Sequence, residues 1–73
     1  MDYIVELDSG LEMQILGEIL VGDADRVAIL PKGWYELFMA YMIQEELYEF
    51  IPKLESVKHK VSDKTFDELF LGK

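Results

Sequence analysis

Residue types able to do chemistry are scarce in this chain. Its 73 residues include one histidine, His59, and no cysteine. Hydrolysis by an activated serine needs a positioned base, most often histidine. His59 instead stands between Lys58 and Lys60 in a polar segment, where a solvated side chain is expected. Without cysteine there is neither a disulfide nor a thiolate metal site. Phosphate-cradling loops need closely spaced glycines that open a helix. Gly10, Gly17 and Gly22 are isolated, and Gly33 alone precedes a helical stretch. Asp23 and Asp25 share a turn, but the further oxygen ligands and distal glutamate of a calcium loop are missing. Glu45 and Glu46 are neighbours on an expected helix, so their carboxylates diverge. No catalytic, cofactor-binding or metal-ligating residue is assigned, and the chain is expected not to be an enzyme.

Charge is more informative. Fifteen acidic and seven basic residues give a formal net charge of −8, which argues against direct contact with nucleic acid or an anionic membrane. Residues 1–31 carry seven acids against Arg26 alone, while Lys53, Lys58, Lys60 and Lys64 make the later part of the chain basic. Glu6, Glu12, Glu18, Asp23 and Asp25 are therefore the candidate partner-binding surface. No basic stretch followed by an apolar core opens the chain, and no apolar run is long enough to span a bilayer. A soluble, cytoplasmic protein is expected.

The elements that would position these residues follow from periodicity. Between residues 3 and 21 the odd positions Tyr3, Val5, Leu7, Leu11, Met13, Ile15, Ile19 and Val21 are apolar, and Glu6, Asp8, Glu12, Gln14 and Glu18 fall between them. Alternation of this kind predicts half-buried strands. Asp8, Ser9 and Gly10 would form a hairpin loop with Gly10 at positive φ, Glu6 would face Glu12, and Gly17 would mark a bulge. A helix over residues 10–21, with Ser9 and Glu12 as a capping box and Gly22 as its stop, is the rival reading. It is set aside because a helical projection scatters Glu12, Gln14 and Glu18 around the cylinder. RVAIL, residues 26–30, would add a strand ended by Pro31. The fold class expected is α+β. An antiparallel meander of three to four strands over residues 2–31 would pack on one long helix over 33–51 closed by Pro52. A short helix over 63–71 would follow, opened by a Thr65–Glu68 capping box.

The apolar arc of the long helix is wider than one sheet can cover. A chain of this length buries only roughly 60% of its unfolded surface, so association with a second copy is a natural source of further stability. Trp34, Phe38, Met39, Met42, Ile43 and Phe50 are the expected interface of a homo-oligomer, with a dimer favoured. The function expected is that of a small acidic interaction protein, an inhibitor or adaptor of the kind phage and mobile elements carry. Its sharper form is a mimic of the DNA phosphate row. The alternative is an assembly subunit that self-associates through the long helix.

Overall fold

In the computed structural model, residues 4–7 and 10–71 are described, and among them there is no β-strand. Four α-helices are joined by short 3₁₀ turns: α1 (Leu11–Val21), α2 (Trp34–Gln44), α3 (Ile51–Glu55) and α4 (Phe66–Phe70). The α+β expectation is overturned. Asp2, Tyr3, Asp8 and Ser9 of the expected meander lie outside the described residues.

The largest correction is α1. Leu16 and Leu20 occupy even positions and break the alternation, and with Ile15 and Ile19 they form an i, i+3, i+4 stripe. Leu16, Ile19 and Leu20 are buried, whereas Leu11, Met13 and Val21 are exposed. Leu, Glu, Met and Gln favour the helix, and only Ile15, Ile19 and Val21 are β-branched. Gly10 is the N-cap with φ −85°, not a left-handed hairpin residue, and its carbonyl accepts from the Gln14 N–H. Gly17 lies inside the helix, where it costs about 1 kcal/mol relative to alanine. The expected Glu6–Glu12 opposition does not form, because Glu12 sits in the first turn of α1.

The single long helix is also corrected. Helix α2 stops at Gln44 in a Schellman turn. The Leu47 N–H donates to the Met42 carbonyl at 2.8 Å and the Glu46 N–H to the Ile43 carbonyl at 3.1 Å. Glu46 takes the left-handed position at φ 60°, where glycine is the usual residue. Pro52 then starts a helix instead of ending one. It stands in the first turn of α3, where a missing N–H leaves no bond unmade. At the other end, Gly33 at φ 89° turns the chain into α2.

Helices α1, α2 and α3 enclose one core. Leu16, Ile19 and Leu20 meet Tyr35, Phe38 and Met42 of α2, Leu54 of α3, and Val27, Leu30 and Val57 from the connections. The C-terminal segment is tied on by a parallel bridge between Leu30 and Val61 and by the Lys32 N–H, which donates to the Lys64 carbonyl at 2.8 Å. At the bridge the Leu30 N–H donates to the Lys60 carbonyl at 3.0 Å and the Ser62 N–H to the Leu30 carbonyl at 2.8 Å. RVAIL is thus no strand of a sheet: Arg26 ends a 3₁₀ turn, Val27 is extended, and Leu30 pairs with residues 60–62 and not with 19–21. The Thr65–Glu68 capping box forms, and its hydrogen bonds to Thr65, the backbone one first, hold the Glu68 carboxyl below its ordinary pKa. Phe66 of α4 stacks on Trp34 with ring centroids 5.6 Å apart and planes 9° apart.

The lysine-rich segment holds the fold together. Helix α1 has no basic residue in its last turn. The Lys53 ammonium supplies that charge from α3, donating to the Leu20 carbonyl at 3.0 Å. Lys60 donates to the Val27 carbonyl at 2.8 Å and the Ala24 carbonyl at 3.3 Å. The N-terminal segment is held in a comparable way. The Gln44 amide accepts from the Val5 N–H at 2.8 Å and donates to the Val5 carbonyl at 2.7 Å.

Candidate functional site

An open groove of about 410 Å³ lies beside α1. Gln14, Ile15 and Glu18 of α1 line one side, Arg26 of the 3₁₀ turn with Val27, Ala28 and Ile29 after it line another, and Phe70 of α4 completes the lining. Helical spacing puts Gln14 and Glu18 on one side of α1 with Ile15 beside them. Its floor is apolar and partly wet, with Ile29 37% and Phe70 56% exposed. The rim is charged. Arg26 lies 3.8 Å from the Glu18 carboxylate, with both side chains well exposed, so the pair contributes at most about 1 kcal/mol.

The five expected acidic residues do not make one row. Glu18 lines the groove, and the adjoining turn Ala24–Arg26 carries Asp25 and is opened by Asp23. Asp23 also has a local task, since its side chain accepts from the Asp25 N–H at 3.0 Å. Glu12 is half-buried at the opposite end of α1. Glu6 is exposed in the segment that Gln44 holds against the end of α2, near Glu45 and Glu46. Two acidic groups result, one at the C-terminal end of α1 and one at the C-terminal end of α2. Both sit at the negative pole of a helix, and neither helix has a basic residue in its last turn.

The expected oligomer surface is divided differently. Phe38 and Met42 are fully buried in the chain's own core, and Trp34, Met39 and Phe50 pack partly against it. Of the six, Ile43 is exposed, at 50%. Sequence reasoning missed Ile15, Val27, Ala28, Ile29 and Phe70 as one surface. The i, i+3, i+4 stripe of α1 was the available signal, because a helix there frees residues 27–30 from a sheet.

No group of acidic residues or His59 among the described residues is arranged to hold a metal ion, and no helix there is long and apolar enough to cross a membrane. Burial first, then the carboxylates of Glu55 and Glu36, raise the Tyr35 hydroxyl above its ordinary pKa, and the Lys58 ammonium lies 5.7 Å from the ring centroid. No protein-family model matches the chain, and neither a curated protein nor a solved structure matches it.

Proposed function

We propose that this chain is a cytoplasmic, non-enzymatic interaction protein that occupies a basic partner protein as an inhibitor or adaptor. The observation that carries this reading is the wet apolar groove with Glu18 on its rim and Asp23 and Asp25 in the adjoining turn. An apolar floor supplies contact area, while a net charge of −8 steers a cationic partner and speeds its arrival. The placement of carboxylates supports it further. Glu45 and Glu46 stand where the helix dipole disfavours them, and Glu46 occupies a left-handed backbone position as well. Local choices that work against stability are most often kept for function. Mimicry of DNA would call for one row of acids, and the division into two groups favours an ordinary protein contact.

The test is capture of partners from host lysate by wild type and by a Glu18→Lys, Asp25→Lys variant at two salt concentrations. The Debye length falls from about 10 Å at 0.1 M to about 3 Å at 1 M. Wild type is expected to retain a basic protein at low salt and release it at high salt. The variant, with an unchanged circular dichroism spectrum, is expected to retain none. Equal capture by both proteins at both salt concentrations would contradict the proposal. A self-assembling subunit is the second reading. It would draw on exposed Ile43 and Tyr48, on the outer side of α2 and the turn after it.

A further inference from the structure

The groove has a backbone wall as well as side chains. Leu30 spends both its N–H and its carbonyl on the C-terminal segment, at Lys60 and Ser62. The N–H and carbonyl of Ile29, one residue earlier, make no hydrogen bond among the described residues. Ala28 and Ile29 are both exposed, and both line the groove. An exposed residue beside a bridged one, with its own N–H and carbonyl unspent, can receive an extended strand. The neighbouring volume, between Ile15, Val27 and Phe70, suits an apolar side chain of the incoming strand.

We infer that the groove takes an extended peptide segment of a partner protein, added as a strand beside Ala28 and Ile29, with an apolar residue in the groove and lysine or arginine flanking it. This rests on the reading of the chain as an interaction protein and specifies how the partner is held. The basic flanks follow from charge. On the rim Arg26 balances Glu18, and the excess of acids comes from Asp23 and Asp25 in the adjoining turn and from Asp67, one helical turn before Phe70. A second copy of this chain would bring a further charge of −8 to the same place, and so fits it poorly.

The probe is the capped peptide Lys-Val-Ile-Val-Lys, titrated to about 1 mM into ¹⁵N-labelled full chain, with binding read from amide shifts. The Ala28 and Ile29 amides are expected to shift, and the Ile29 amide to gain protection from exchange. N-methylation of the central isoleucine removes the donor that Ile29 needs and is expected to weaken binding about tenfold or more. Replacing both lysines of the probe by glutamate is expected to do the same. Phe70→Ala, at an exposed position and so expected to fold, should also lose binding. Unmoved Ala28 and Ile29 amides, or equal binding of the N-methylated peptide, would overturn the inference. So would an Ile29 amide already protected in a dimer of the free chain, because a second copy would then hold the edge. If the peptide leaves these amides unmoved while charge reversal still abolishes capture, the mode of recognition falls and the interaction reading stands. If charge reversal leaves capture intact, the interaction reading itself falls.

Discussion

Met42→Glu is expected to unfold the chain at every protein concentration. Met42 is 0% exposed, and it is enclosed by the chain's own α1, α2 and α3 rather than by a second copy. A glutamate there would be buried without a partner or would force the core open. Either cost is several kcal/mol. A domain of this length has on the order of 4–11 kcal/mol of stability in all. Ile43→Glu is the control. It is the next residue of the same helix, 50% exposed, and its replacement should change stability by about 0.5 kcal/mol or less. Circular dichroism and light scattering across a dilution series read both outcomes. A Met42→Glu chain that stays folded but loses mass would restore the view that this residue lies between subunits.

Lys60→Met is expected to lower stability by about 2–3 kcal/mol, far more than a surface lysine usually contributes. The methionine keeps the apolar stem but has no donor. The Val27 and Ala24 carbonyls, which accept from the ammonium at 2.8 and 3.3 Å in a partly buried setting, would be left without that donor. Hydrogen bonds to a charged group are stronger than neutral ones, and an abandoned acceptor carries its own desolvation cost. Urea unfolding measures the effect as a fall in midpoint with unchanged slope. An unchanged midpoint would mean that water replaces the lysine without loss. The same change should loosen residues 27–30, and with them the backbone wall of the groove.

Some of this structure was legible in the sequence. Thr65 and Glu68 marked the start of the last helix, since a capping box works through neighbouring residues alone. Gly33 marked the start of α2 for a similar reason, with its left-handed φ. Helix α1 is hidden in the sequence because Leu11, Met13 and Val21, all exposed, mimic the odd-position pattern of a strand. Leu16 and Leu20 carried the contrary signal. A single proline misled in the same way, because Pro52 fits the beginning of a helix as well as its end. The candidate site was not legible. It depends on Lys60 reaching back 33 residues to Val27 and on Phe70 lining the same groove as Ile29, placements with no local signature.

The groove, the acids of its adjoining turn and the unspent backbone groups of Ile29 all require that residues 11–21 be helical, leaving residues 27–30 without a sheet to join. Backbone carbon chemical shifts of the free chain test this residue by residue. Uninterrupted helical shifts are expected from Leu11 to Val21, with an exchange-labile amide at Ile29. Extended shifts on both sides of Gly17, with cross-strand contacts between residues 3–7 and 11–15, would contradict it.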